Sequence, residues 1–275
     1  MESLPEHAGH IQLEVEGRVA KLTICHSARR NAMTRGMWRQ LHGIRAQLPA
    51  SVRCLLIQGE GEHFCAGGDI SEYPSFRFEE ATLAHFHEEE VAPALDALLA
   101  LDMPVIAAIA GHCTGGGLEI ACCADIRLAR VDASFGAPIA KLGMPMAPRE
   151  LELVARVAGE SVVREMLLLA SSYSASQMHA RGFLHRVIDQ ESWQSTLQQT
   201  VDHLCQLSPQ AARLNKQAFR HIFKQNRPLA GIECAQNAMN LVVPEQTQAS
   251  PYRYASSAEH REGIEAFLQK RPANF

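Results

Sequence analysis

Between Asp102 and Asp125 the chain reads MPVIAAIAGHCTGGGLEIACCA, and Glu119 is the one formally charged residue in it. PVIAAIAG has the apolar content of a strand buried on both faces, the glycines at 115–117 interrupt it, and a helix is expected from about Gly116 to Ala124. Leu118, Ile120, Ala121, Cys122 and Cys123 predict that the helix is buried, and Glu119 with it. An unpaired carboxylate in such a place costs several kcal/mol, or its pKa rises until it is neutral. A chemical use for the acid is one explanation. Close strand-to-helix packing through the glycines, with Glu119 as an ordinary first-turn residue, is the other.

A second stretch repeats the design: RCLLIQG, an expected buried strand at Arg53–Gly59, runs into GEGEHFCAGGD, which ends in Phe64-Cys65-Ala66-Gly67-Gly68-Asp69. Glycines let a ligand or another backbone approach closely, and free N–H groups at the start of a helix suit an anion. Other elements follow from pattern. IQLEVEG and RVAKLTIC read as two strands around Gly17, and Thr34 caps a helix to about Ala46 with Met37, Leu41 and Ile44 at helical spacing. A helix is expected from about Glu79 to Leu101, and one or two strands in DIRLARVDASFG. After Pro148 the chain reads as nearly all helix, including one opened by Ser208 and Pro209 and a last one from about Ser257 to Lys270. Strands alternating with helices, then helices alone, indicate an α/β chain with a helical C-terminal part.

Composition narrows the function. The net charge of −4 is spread along the chain, which leaves no basic field for nucleic acid or an anionic membrane. The uncharged run 103–118 is shorter than a bilayer span of ~20 residues, and MESLPEHAGH lacks the basic start and apolar core of a signal peptide. A soluble, cytoplasmic protein is expected. Its cysteines, at 25, 54, 65, 113, 122, 123, 205 and 234, form no CxxC pair or zinc spacing and read as reduced thiols. No phosphate-loop, dinucleotide-binding, nucleophile-elbow or HExxH motif occurs. HFHEEE, His85–Glu90, reads as a solvated surface, and Asp69 and Asp125 read as turn or strand-start residues.

With these residues in view the sequence resembles the crotonase, or enoyl-CoA hydratase/isomerase, superfamily. FCAGGDI is similar to the family's F-x-A-G-x-D-[IL] loop, and Pro104–Ala129 to its P-x-I-A-x-x-x-G-x-x-x-G-G-G-x-E-[IL]-x-x-x-C-D block. AGESVVREMLLLASSYSASQMHARGFLHRVID and REGIEAFLQKRPANF match its last two segments. The resemblance implies an α/β fold, a spiral of ββα units over residues 1–200 carrying the acyl-CoA site, with a helical region at 201–275 that makes a homotrimer or a dimer of trimers. It implies an acyl-CoA thioester as substrate, coenzyme A entering only as part of it, and no metal, nicotinamide or flavin. By position, the amides of Ala66 and Gly116 are the expected oxyanion hole and Glu119 the acid/base. Arg30, Phe267 and Lys270 are expected to meet the CoA, and Gly68, Ile70, Tyr73, Ile139 and Met146 the acyl group; core packing for Phe267 and a solvated helix end for Lys270 are the plainer readings.

The pattern also breaks. Hydratases of the family carry a second glutamate in F-G-x-P-E-x-x-L-G; here the stretch is FGAPIAKLG, with Ile139 at that position, followed by GMPMAPRE. Hydration benefits from two proton-handling groups. The expected function is therefore an enoyl-CoA hydratase/isomerase-type lyase that stabilises a thioester enolate with Glu119 as its single acid/base. The alternatives are a decarboxylase resembling the methylmalonyl-CoA branch, where Gly68 and Met146 replace that branch's His and Tyr, and a non-catalytic acyl-CoA-binding relative. Glu150 and Glu152 could swing in as a substitute acid, although Pro148-Arg149-Glu150 also reads as a plain helix start.

Overall fold

The computed structural model of the chain describes residues 9–225 and 257–275, without the side chains of 221–225, 260 and 267. It forms two compact units, Met1–Cys205 and Gln206–Phe275. The described residues of the first hold nine strands: β1 (His10–Glu16), β2 (Val19–Cys25), β3 (Cys54–Gly59), β4 (Val105–Ile109), β5 (His112–Thr114), β6 (Ile126–Arg130), β7 (Ser134–Gly136), β8 (Ser172–Ser174) and β9 (Arg186–Ile188). The larger sheet has the order β1-β2-β3-β4-β6-β9; β1 and β2 are an antiparallel hairpin over Gly17, at φ +57°, and every later pair is parallel. β5, β7 and β8 make the smaller sheet.

Both faces of the large sheet are covered, which is why its central strands read as unbroken apolar runs. Val105, Ala107 and Ile109 point into the main core while Ile106 and Ala108 point to a second cluster built around Cys54, Leu128, Trp193 and Leu197. The period of two along β4 divides the layers. Thr34 caps its helix as expected, its hydroxyl accepting from Met37 N–H at 3.2 Å. That helix, Arg35–His42, stops at Gly43 and resumes as Ile44–Gln47.

Two expectations need correction. The helix forecast for 79–101 is three pieces: Glu80–His85, a π-helical stretch Phe86–Val91, and Ala92–Leu99. The segment after Pro148 is not purely helical, because β8 and β9 dock as three-residue edge strands on β7 and β6. Strands that short are decided by their partners and leave no periodic signal of their own. In the second unit, helix Pro209–Gln225 begins with Ser208 Oγ accepting from Ala211 N–H, and helix Ala258–Leu268 follows. No helix of the described residues is long and apolar enough to cross a membrane.

Candidate active site

The two glycine loops are joined by backbone. Cys65 N–H donates to His112 O at 2.8 Å and Thr114 N–H donates to Cys65 O at 2.9 Å, an isolated parallel bridge between Cys65 and Cys113. Gly117 has to be glycine, since a β-carbon there would run into the Cys65 carbonyl oxygen. A β-carbon on Gly116 would stand 3.8 Å from the Gly67 carbonyl carbon, the atom bonded to Gly68 N. The Gly68 and Gly116 amides therefore lie on touching stretches of chain. Neither has an acceptor among the described residues.

Ala66, expected as a donor, is otherwise engaged: its N–H donates to Arg30 O at 3.0 Å. The cause is a left-handed turn at Arg30 and Asn31, φ +51° and +61°. The Asn31 side chain holds that turn by accepting from His26 N–H and donating to the Glu60 and His63 carbonyls, and the turn presents Arg30 O to the loop. The amide left free is that of Gly68, two residues on.

Ala66, Gly68, Ile70, Tyr73, Gly116, Glu119, Ile139 and Met146 all open onto one cavity of about 150 Å³. A wider depression of about 360 Å³ between the first hairpin and Trp193 contains none of them. Arg30 is not on the cavity; it is exposed, with Nη1 3.3 Å from His112 Nε2. Lys270 lies in the second unit, exposed just past the last helix, and the Phe267 side chain lies outside the described residues.

Glu119 is 9% exposed, and no described residue makes a hydrogen bond or ion pair with its carboxylate. Burial first, and the charge of Glu150 second, push its pKa up to about 8, with Arg77 pulling the other way. Tyr73 stands over Gly68, its hydroxyl where a side chain at 68 would be, and burial raises its pKa. Asp69 accepts from Ser71 N–H and Asp125 from Val105 N–H, both local structural bonds. All the described cysteines are free, and burial raises the Cys65 and Cys122 thiols to about 12, which keeps them unreactive.

Three cavity residues depart from the expectation. Glu150, from the helix Pro148–Ala158, is 2% exposed; its Oε1 lies 3.2 Å from His87 Nδ1 and its Oε2 is buried without a partner. It faces the same cavity as Glu119, whereas Glu152 is exposed. His87 lines the cavity too, so HFHEEE is a solvated surface only at His85, Glu88 and Glu89: the wider π turn brings His87 to Glu150 and buries Glu90 against Arg35. Arg77 is the third. Its guanidinium stacks on the Tyr73 ring at 4.2 Å, Nη1 is 3.0 Å from Met144 Sδ, and Nε is buried with no partner. The polar composition of 85–90 pointed away from His87, and a lone arginine carries no signal of its own; only Glu150 had been in view as a stand-in acid.

The enoyl-CoA hydratase/isomerase family model matches residues 14–275. A 1,2-epoxyphenylacetyl-CoA isomerase of Escherichia coli (strain K12) is 31% identical over 264 residues, 95% of this chain and 96% of that protein. A 2,3-dehydroadipyl-CoA hydratase of the same organism is 29% identical over 261 residues, 94% of this chain and 95% of that one. Among solved structures, an enoyl-CoA hydratase/carnithine racemase from Magnetospirillum magneticum superposes with a TM-score of 0.84 at 32% identity, over 96% of this chain and 94% of that one.

Proposed function

The chain belongs to the enoyl-CoA hydratase/isomerase family, and from that premise we propose that it binds an acyl-CoA thioester with the carbonyl oxygen between the Gly68 and Gly116 amides and moves a proton at the α-carbon with Glu119. Removal of the α-proton sends an electron pair toward the thioester oxygen. Fixed N–H donors aimed at that oxygen stabilise the enolate without reorganising, and one such donor is worth ~3 kcal/mol of barrier. The observation that carries the reading is Glu119: a buried carboxyl with no partner, on the wall of the cavity that both free amides reach. A pKa near 8 suits a group that must both take and return a proton near neutrality.

Ile139 lines the cavity where the family resemblance places a second acid, and Glu150, held by His87, brings a carboxyl to the same cavity from a different helix. A second carboxyl on the cavity favours hydration, which benefits from two proton-handling groups, over decarboxylation, which needs chiefly the oxyanion donors; isomerisation needs Glu119 alone. Exchange of the α-proton of a saturated acyl-CoA in D2O tests the reading. Wild type exchanges; Glu119→Gln does not, yet still binds CoA. Exchange that survives Glu119→Gln overturns the role of Glu119, and CO2 release from methylmalonyl-CoA without exchange supports decarboxylation instead. A homotrimer or dimer of trimers belongs to the same proposal, in keeping with the exposed Leu168 and Leu169, 74% and 73% accessible; sedimentation of the purified chain tests it.

A further inference from the structure

Arg77 is the cavity residue that the proton-transfer reading leaves without a task. Three other arginines are tied to an oxygen through Nε: Arg35 to Glu90 at 3.0 Å, Arg130 to Asp132 at 2.6 Å and Arg127 to the Phe183 carbonyl at 2.7 Å. Arg77 Nε is enclosed and has nothing. Nη1 lies 3.0 Å from the Met144 thioether, a weak acceptor, and the guanidinium also acts on the Tyr73 hydroxyl. The flat face of the guanidinium is taken by Tyr73 at 4.2 Å, with Phe86 and Phe76 at 5.7 and 5.9 Å. Stacking of that kind holds the plane and leaves the donor edge for something else.

Neither carboxyl on the cavity makes a hydrogen bond to the Arg77 guanidinium, although Arg77 acts electrostatically on Glu119. No ion pair joins Glu119 or Glu150 to Arg77 among the described residues; Glu150 is engaged by His87, and burial raises the pKa of Glu119, which disfavours its charged form. A guanidinium edge is a planar fork that fits a carboxylate bidentately. The phosphates of coenzyme A are unsuited to fill it, because they lie a pantetheine arm away from the thioester. Arg77 stacks on Tyr73, whose hydroxyl abuts Gly68 at the thioester end. What reaches it is the acyl chain.

Resting on the acyl-CoA reading above, we propose that Arg77 is the counter-ion of a carboxylate on the acyl group, so that the site selects acyl-CoA thioesters whose acyl chain ends in an acid over those that end in a methyl. The stack on Tyr73 then aims the fork, and the apolar wall of Ile139, Met144 and Met146 packs the intervening methylenes.

The test compares α-proton exchange in D2O on pairs of matched length, glutaryl-CoA against pentanoyl-CoA and adipyl-CoA against hexanoyl-CoA. Leaving a buried charge unpaired is heavily penalised, so wild type is expected to favour the acid member of a pair on the order of 100-fold in kcat/KM, mainly through KM. Arg77→Met should abolish or invert that preference, whatever it does to the exchange rate common to both members through Glu119, and Arg77→Lys should keep part of it. Equal or better turnover of the neutral members by wild type overturns the proposal. So does a loss in Arg77→Met that is the same for both members, the signature of a wall residue only. Absence of exchange on every thioester sinks the proton-transfer reading instead; calorimetric binding of glutaryl-CoA and pentanoyl-CoA to the wild-type chain then decides the charge preference, with equal affinities counting against it.

Discussion

Glu90 and Glu119 are both glutamates of the interior, 3% and 9% exposed, and the fold treats them in opposite ways. Glu90 accepts from Arg35 Nε at 3.0 Å and Nη2 at 2.6 Å, and from Arg39 Nη1 at 3.1 Å. It is a joint between the helix Arg35–His42 and the π-helical stretch, and its charge is neutralised on the spot. Glu119 has no such bond, although Arg77 is near enough to influence its titration. Glu150 stands between them, with one oxygen on His87 and the other bare. The difference teaches what enclosure alone does not: a sequestered acid with counter-charges is architecture, and one kept without them is held for a visiting proton or ligand.

The contrast can be broken or sharpened by measurement. Glu119→Gln should lower α-proton exchange roughly 1,000-fold or more while the folded chain and its CoA binding persist; a normal rate would erase the distinction from Glu90. Arg35→Met should do the reverse. It strands Glu90 with one guanidinium, at ~4 kcal/mol in denaturant unfolding, and leaves the pH dependence of exchange unaltered.

The titration of Glu119 gives a third measurement. Its carboxyl is raised from about 4.5 to about 8 by folding, so its contribution to stability is full below pH 4.5 and is lost as pH climbs through 8. Thermal unfolding across that range should show Glu119→Gln gaining on wild type, on the order of 4 kcal/mol by pH 8. A constant difference would mean that the acid is not enclosed. The smallest effect is a control: Lys21→Ala breaks the exposed 2.9 Å pair with Glu14 and should leave stability within measurement error, which assigns the Arg35 effect to burial.

Much of this was legible in sequence because it is local. The apolar run of β4, the glycines after it and the enclosed position of Glu119 lie within a span of fifteen residues, Val105–Glu119, and each follows from its neighbours. The gathering of Tyr73, Ile139 and Met146 at one cavity came from the family resemblance rather than from spacing. What stayed hidden depends on distant contacts. The engagement of the Ala66 amide comes from a turn thirty-six residues upstream, positioned by Asn31. The inward turn of His87 and Glu90 comes from a π stretch inside what reads as plain helix, and the two edge strands late in the chain exist only because β6 and β7 offer them free edges.

The clasp between Cys65 and Cys113 has a consequence for how such a protein changes over time. The free amides at the cavity are main chain, fixed by glycine packing, and much of the remaining wall is side chain at 70, 73, 77, 139, 144 and 146. The two inventories mutate separately. Point substitutions can therefore retailor which substrate tail is admitted without ever endangering the anvil on which the bond-breaking is done.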